Sequence, residues 1–291
     1  MKRTTVTFPN REGLNIKGII FEPDDAQRRK TGVVYLPGIV LGLTAVHRLA
    51  VDVACEFQRD GYPVLLFDHA RIGESEGSFV SGPYEEFVNF IKQGGLVDDT
   101  LEALQFFLSR CNLENIILIG HCGGALTALY AAQKSNKIAQ LILIVPPLMG
   151  ETTEGAGMTK GQAKEYLALY KHKMFSPAAW SRLFLGKSDY RQMIKAVKAK
   201  IFRSKPETGP GDANLNRVFV KGLESVGGRI DVRIIYGDRD PGFEEFKDCE
   251  DEFNRGKIRT TVFPDASHGF VTDKSMRLLM AELKAPYERI H

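Results

Sequence analysis

The chain has 291 residues, of which 43% are hydrophobic and 26% are charged, as in ordinary soluble globular proteins. This length suits one large domain or a domain with an insertion. The net charge of +3 specifies no class of partner, and the four scattered cysteines form neither a disulfide framework nor a zinc motif. The first ten residues lack the apolar core of a signal peptide, and the strongest apolar run, 141–145, is too short to cross a membrane. We therefore expect a cytoplasmic protein without a transmembrane segment.

Apolar runs and turn residues alternate along the first half of the chain. Val6–Phe8 and Ile16–Phe21 predict a hairpin of two short strands. Gly32–Leu36 and Val64–Asp68 are continuous apolar runs, which are typical of strands covered on both faces, and a helix from about Thr44 to Arg59 connects them. Further helices and strands are predicted at Tyr84–Gln93, Asp98–Cys111, Asn115–Ile119, Ala125–Ala132 and Gln140–Val145. This alternation predicts a three-layer α/β domain with a mainly parallel sheet.

The alternation stops after residue 145 and resumes at residue 230. Residues 146–229 contain helix-like runs but no convincing core strand. Strands at Asp231–Gly237 and Arg259–Phe263 and helices at Gly242–Asn254 and Asp273–Glu288 complete the pattern. We therefore predict a core formed by residues 1–145 and 230–291, with a helical cap inserted at 146–229.

A glycine-flanked turn, Gly120-His121-Cys122-Gly123-Gly124, lies between a predicted buried strand and a predicted helix. This arrangement would lift Cys122 onto the edge of the sheet, as in a nucleophile elbow with cysteine in place of the usual serine. So tight a turn leaves no room for a Cβ at the glycines on either side. The positive end of the helix would favour a thiolate. Cys122 is thus a candidate nucleophile, and the alternative is a tight turn over a small buried cysteine.

A nucleophilic cysteine needs a base, and the base needs an orienting acid. His268 follows the last predicted strand and Asp240 follows the strand before it, so both belong to the edge where parallel strands end. Asp238 is the competing acid, and Asp240 is preferred because it lies deeper in the loop. The backbone N–H groups of Gly123 and Ile39 are predicted to form an oxyanion hole.

Several motifs together resemble the α/β-hydrolase superfamily over almost the whole chain outside the insertion. They are the strand-ending Pro37-Gly38, the Asp68-x-x-x-x-Gly73-x-Ser75-x-Gly77 loop, the turn at Cys122, Asp240 and His268. The resemblance implies a three-layer α/β-hydrolase fold and a hydrolase with a Cys-His-Asp triad, and it leaves the substrate open. Three positions depart from many members: Pro37 replaces a histidine, Arg71 replaces a glycine, and Cys122 is similar to the nucleophile of the dienelactone-hydrolase variant.

A cysteine at position 122 limits the reactions that the proposed nucleophile can carry out. Members that open epoxides or displace halide use a carboxylate at this position, whereas a thiolate suits an ester or thioester carbonyl. Because water or an alcohol can resolve the thioester intermediate, both a hydrolase and an acyltransferase fit. The rival class is a binding protein on a hydrolase scaffold. No metal or redox cofactor is indicated, and the oligomeric state is not specified.

The predicted cap is strongly basic, with twelve basic and two acidic residues between Lys160 and Lys205. The positive electrostatic field of such a segment can attract an anionic or carrier-linked small-molecule substrate. The alternative is a solvated basic surface without a partner. Nucleic acid fits poorly, because the charge is confined to the cap and no nucleic-acid motif is present. The segments Tyr166-Leu167 and Ser176–Lys187 resemble, more weakly, hydrolases associated with bacterial exosortase and exopolysaccharide systems.

Four side chains are candidate substrate contacts. Tyr166, Tyr170 and Trp180 are aromatic residues of the cap, where they can equally form the core of the cap. Arg71, in the loop after Asp68, can bind substrate or form a structural ion pair. His121 is expected to pack beneath the turn.

Overall fold

The computed structural model describes residues 2–38, 48–78, 84–148, 217–253 and 258–285. Its strands are β1 (Lys2–Pro9), β2 (Asn15–Glu22), β3 (Thr31–Leu36), β4 (Val64–Phe67), β5 (Asn115–His121), β6 (Ile138–Ile144), β7 (Asp231–Gly237) and β8 (Ile258–Phe263). Its α-helices are α1 (Leu49–Arg59), α2 (Tyr84–Lys92), α3 (Val97–Cys111), α4 (Gly123–Lys134), α5 (Arg217–Gly227), α6 (Phe243–Phe253) and α7 (Asp273–Lys284). Most of the predicted cap lies outside the described residues, as do Ile39, Tyr166, Tyr170 and Trp180.

The eight strands form one sheet in the order β1-β2-β4-β3-β5-β6-β7-β8. The pairs β1–β2 and β2–β4 are antiparallel, and all the other pairs are parallel, which confirms the mainly parallel sheet expected from the sequence. Leu36 pairs with Gly120 and Gly237 pairs with Phe263, so β3 ends beside β5 and β7 ends beside β8. The loops that carry the candidate site residues therefore leave the sheet at one edge.

Helices cover both faces of this sheet, which explains why its central strands are apolar at nearly every position. In β5, every residue from Ile116 to His121 is buried. The helix α4 packs on β3, β5 and β6, and α1 packs on β2, β3 and β4 and against α7. All ten residues from Gly123 to Ala132 in α4 are buried, as expected for a helix that is apolar all round.

The helix α5 lies within residues 146–229, which the sequence assigns to the cap. It packs against α4 and β7, with Phe219, Leu223 and Val226 buried. These residues therefore belong to the helical layer beside the sheet. The division of the remaining chain into core and cap stays a prediction.

Arg233 joins the last helix to the sheet. It lies on β7 with only 5% of its surface exposed, and its guanidinium donates hydrogen bonds of 2.7 Å to the carbonyl oxygens of Glu282 and Ala285. The last carbonyl groups of a helix have no partner within the helix, and a cation is favourable there. Arg233 thus fixes α7, which follows the loop of His268, to β7, which precedes the loop of Asp240.

We expect Arg233→Met to lower the free energy of unfolding by about 3 kcal/mol, because the substitution removes both hydrogen bonds that the buried guanidinium donates to the end of α7. Urea denaturation followed by circular dichroism measures this change. Arg277→Met is the matched control, because Arg277 is exposed on α7, the helix that Arg233 binds. This substitution should change the free energy of unfolding by less than about 0.5 kcal/mol. Equal losses in the two variants would contradict this role of Arg233.

Candidate active site

The turn between β5 and α4 has a strained backbone. Cys122 has φ 52° and ψ −122°, which lies outside the regions that residues with a side chain normally occupy. Its N–H donates to the carbonyl of Ile144 at 2.9 Å, and its carbonyl accepts from the N–H of Ala125 at 2.9 Å. The surrounding structure therefore holds this conformation on both sides, and it leaves the side chain of Cys122 partly exposed.

Gly120 and Gly124 have no space for a side chain. A Cβ on Gly120 would overlap the backbone of Gly124, and a Cβ on Gly124 would overlap the carbonyl groups of Leu36 and Pro37. The chain after β3 therefore packs directly on the first turn of α4. This is the steric reason for the glycines that the sequence suggests.

The same close packing brings the loop after β3 to the thiol. A Cβ built on Gly38 would lie 3.3 Å from the Cβ of Cys122 and 4.0 Å from its Sγ. Gly123 is the first residue of α4, so its N–H belongs to the turn that has no acceptor within the helix. Ile39, the other predicted oxyanion donor, lies outside the described residues, although its neighbour Gly38 is beside Cys122.

Asp240 and His268 are in direct contact. The Nδ1 atom of His268 lies 2.6 Å from Oδ2 of Asp240, while Oδ1 accepts the N–H of Gly242 at 2.7 Å. Asp240 is 8% exposed, whereas Asp238 is exposed. Of the two acids considered from the sequence, the structure thus brings Asp240 to the histidine ring.

The side chain of Cys122 is close enough to the ring of His268 for an interaction between them to raise the pKa of His268. Because Nδ1 faces Asp240, Nε2 is the atom left for the sulfur. Burial alone would lower the pKa of His268, but the hydrogen bond to Asp240 and the interaction with Cys122, together with their negative charge, raise it to about 10. His268 is therefore an imidazolium at neutral pH, placed between the carboxylate of Asp240 and the sulfur of Cys122.

His121 is a second histidine at this site. Its Nε2 lies 2.9 Å from the carbonyl oxygen of His268, and the two ring centroids are 5.3 Å apart. Since a carbonyl oxygen only accepts, Nε2 of His121 carries a proton. Burial, and then the charge of His268, lower the pKa of His121 to about 4, so this ring is neutral. The sequence suggests only packing for His121; its place directly before Cys122 is the one signal for a larger role.

Arg71 forms the ion pair that was the alternative to substrate binding. Its guanidinium pairs with Glu12, and its backbone N–H donates to the carbonyl of Glu76 at 2.8 Å. The preceding Asp68 is buried, and its carbonyl accepts the hydroxyl of Ser75 at 2.6 Å. Among the described contacts, those of Arg71 stabilise its own loop and do not involve the residues around Cys122.

His69 is a second buried histidine, and it follows the end of β4. Its Nε2 lies 2.9 Å from the hydroxyl oxygen of Thr100, which itself donates to the carbonyl of Leu96 at 2.9 Å. The hydroxyl oxygen of Thr100 therefore accepts a hydrogen bond from Nε2–H of His69. Burial lowers the pKa of His69 to about 3, so this ring is also neutral.

Two other kinds of site are absent from the residues that the structure describes. No group of three or more histidine, cysteine or acidic side chains there is arranged to hold a metal ion. No helix in those ranges is long and apolar enough to cross a membrane.

The sheet, the strained turn and the group of Cys122, Asp240 and His268 at its edge are features of the α/β hydrolases. The chain belongs to this family, because a model described as alpha/beta hydrolase fold matches residues 33–274. This confirms the resemblance and the fold class expected from the sequence.

Two curated fungal proteins are similar over part of the chain. Polyketide transferase af380 of Aspergillus fumigatus is 32% identical over 151 residues, and polyketide transferase grgF of a Penicillium species is 28% identical over 148 residues. Each match covers 50% of this chain and 46% of the relative, so the chain spans about half the length of these proteins.

Solved structures are similar over nearly the whole chain. The α/β hydrolase GrgF from Penicillium has a TM-score of 0.62 at 17% identity, with 97% of each chain covered. The esterase Pf2001 of Pyrococcus furiosus has a TM-score of 0.60 at 14% identity, with 97% of this chain and 88% of the other covered. At these identities the likeness supports the fold alone.

The two buried neutral histidines predict acid sensitivity. Below the unfolded-state pKa of 6.5, the unfolded chain binds protons that His69 and His121 do not bind until about pH 3 and pH 4 in the folded protein. The free energy of unfolding should therefore fall as pH drops from 6.5 toward 4, by up to about 1.4 kcal/mol per pH unit for each histidine. Urea denaturation at pH 6.5 and pH 5.0 measures the slope.

His69→Gln should reduce this slope, because glutamine does not titrate and can still donate to Thr100. His268 itself opposes this slope only slightly, because its raised pKa keeps it protonated in the folded protein throughout this window, and the stability that it contributes is lost only as pH rises from about 6.5 toward 10. A wild-type stability that is the same at both pH values would contradict the neutral state of the buried rings.

Proposed function

We propose that this protein is a hydrolase that cleaves an ester or thioester through a covalent intermediate on Cys122. In this proposal His268 transfers protons and Asp240 orients His268. The observation that carries the proposal is the continuous contact from Asp240 through the ring of His268 to Cys122 on a strained turn. A nucleophile within reach of a base that a third group orients is the arrangement needed for covalent acyl chemistry.

In the first step, the sulfur of Cys122 attacks the carbonyl carbon of the substrate as a thiolate paired with the imidazolium of His268. The N–H groups of Gly123 and, as the sequence predicts, Ile39 donate hydrogen bonds to the carbonyl oxygen and stabilise the negative charge that develops on it. The tetrahedral intermediate collapses, the carbon–leaving-group bond breaks, and His268 gives its proton to the departing oxygen or sulfur. The acyl group is then a thioester on Cys122.

In the second step, neutral His268 takes a proton from the attacking water. The water oxygen bonds to the acyl carbon, the carbon–sulfur bond breaks, and the carboxylic acid leaves while Cys122 returns to a thiolate paired with the imidazolium of His268. Asp240 keeps the ring in one orientation and stabilises its charge throughout both steps. A reducing, cytoplasmic environment, as expected from the sequence, would keep the sulfur available.

Acyl transfer to an alcohol is the second candidate, and a specific observation favours it. The two curated relatives that match this chain are both named polyketide transferases. The same two steps describe transfer when an alcohol replaces water in the second one. A carrier-linked acyl thioester would suit the basic cap predicted at residues 146–229, because a basic surface attracts an anionic carrier.

We expect Cys122→Ala to lower turnover of a small acyl thioester by at least about a thousandfold, because the covalent route is lost. The wild-type protein should also gain the mass of the acyl group on Cys122, as measured by intact and peptide mass spectrometry. Cys55→Ala is the control, since Cys55 is also a partly exposed free cysteine but lies on α1.

Product analysis with and without added alcohol then separates hydrolysis from transfer. A free acid in both conditions identifies a hydrolase, and an acylated alcohol identifies a transferase. Undiminished turnover in Cys122→Ala would contradict the nucleophile. No turnover and no acyl adduct in the wild-type protein would favour a binding protein instead.

Asp240→Asn and Asp238→Asn form a matched pair that tests the acid. We expect the first substitution to lower kcat by about a thousandfold or more, because an amide cannot stabilise the imidazolium or fix its orientation. The second should change kcat less than about twofold, because Asp238 is exposed on the surface. Steady-state kinetics on one acyl thioester measure both, and the reverse order of effects would move the acid to Asp238.

A further inference from the structure

The loop that carries His268 has an unfavourable backbone conformation on both sides of the histidine. Asp265 and Phe270, on either side, have φ of 60° and 50°, which are unfavourable for residues with side chains. Within the loop, the N–H of Phe270 donates to the carbonyl of Ser267 at 3.1 Å. The side chain of His268 is itself 45% exposed. The position of this ring therefore depends on contacts with other parts of the protein.

His121 supplies such a contact from a buried central strand of the sheet. It is the last residue of β5, pairs with Ile144 of the neighbouring strand, and is 4% exposed. Its Nε2–H donates to the carbonyl oxygen of His268 at 2.9 Å, across 147 residues of sequence. Since His121 directly precedes Cys122, this hydrogen bond joins the backbone of the base to the residue beside the nucleophile.

We propose that His121 is a positioning residue that sets the separation between Cys122 and His268. The proposal rests on the catalytic roles proposed for those two residues. Asp240 holds Nδ1 of the His268 ring and His121 holds the backbone carbonyl of the same residue. With both ends fixed, the ring has one direction left for Nε2, and that direction is toward the sulfur.

A histidine suits this position better than other donors. It must donate a hydrogen bond next to the positively charged ring of His268, with the carboxylate of Asp240 also close by. A lysine or arginine would place a second fixed positive charge beside the imidazolium. The buried ring of His121 stays neutral at physiological pH, so it donates without that repulsion.

The test compares His121→Met, which fills the space without a donor, with His121→Gln, whose amide nitrogen can replace Nε2. Alkylation of Cys122 by iodoacetamide is followed from pH 6 to pH 9.5 by peptide mass spectrometry. We expect alkylation of His121→Met to be about tenfold slower than wild type at pH 6.5 and to approach the wild-type rate at high pH. His121→Gln should recover most of the loss, and His69→Gln should match wild type.

A second measurement uses the unaltered protein, so it stands even where a variant fails to fold. Long-range ¹H–¹⁵N spectra of histidine-labelled protein at pH 7 should show His121 neutral with its proton on Nε2, and His268 doubly protonated. A proton on Nδ1 of His121 would overturn the proposal. An unchanged alkylation profile in His121→Met, or a His121→Gln variant no better than His121→Met, would overturn it as well.

These readouts need no substrate, so the proposal and the enzymatic function fail separately. Absence of an acyl adduct in the wild-type protein would remove the proposed function and leave the alkylation comparison intact. With turnover established, kcat should follow the alkylation rate across the variants, while KM should stay within about twofold because His121 is buried away from solvent.

Discussion

The absence of side chains at Gly120 and Gly124 is the constraint on which the site depends. Only with glycine at both positions can the backbone turn sharply at Cys122 while the chain after β3 rests on the first turn of α4. That contact puts Gly38 beside the sulfur of Cys122. The parallel register of the strands then brings the loops of Asp240 and His268 to the same edge. Steric crowding at the turn thus places the sulfur of Cys122 at the edge of the sheet where the loops of Asp240 and His268 also lie.

Three buried or half-buried histidines show how the surroundings decide a charge. His69 is enclosed with a neutral partner, Thr100, and its pKa is about 3. His121 is enclosed beside a positive ring, and its pKa is about 4. His268 has the carboxylate of Asp240 and the sulfur of Cys122, and its pKa is about 10. The partners of His268 outweigh its burial, so among these three rings the positive charge is concentrated on the one beside Cys122.

The fold could be predicted from sequence because buried strands and their helices leave local patterns. The sequence also predicts that Cys122, Asp240 and His268 lie at one edge of the sheet, since loops after parallel strands converge there. Local patterns do not separate Asp240 from Asp238, because that choice depends on how the turn after β7 directs each side chain. They also do not assign α5 to a layer, because an amphipathic helix has the same pattern in a core and in a cap. The contact of His121 with His268 joins residues 147 positions apart, beyond any local pattern.

The proposed role of Cys122 as the nucleophile favours thioesters over ordinary esters as substrates. When a thiolate attacks a thioester, it forms one thioester and breaks another, so the covalent step is close to balanced in free energy. Attack on an alkyl ester must instead expel a much more basic alkoxide, for which the proton of His268 is essential. Because His268 already carries that proton at neutral pH, the site is prepared to protonate a leaving group without first taking a proton from the nucleophile. In the proposed mechanism, the acyl-enzyme is itself a thioester, so attack by either water or an alcohol is favourable in free energy.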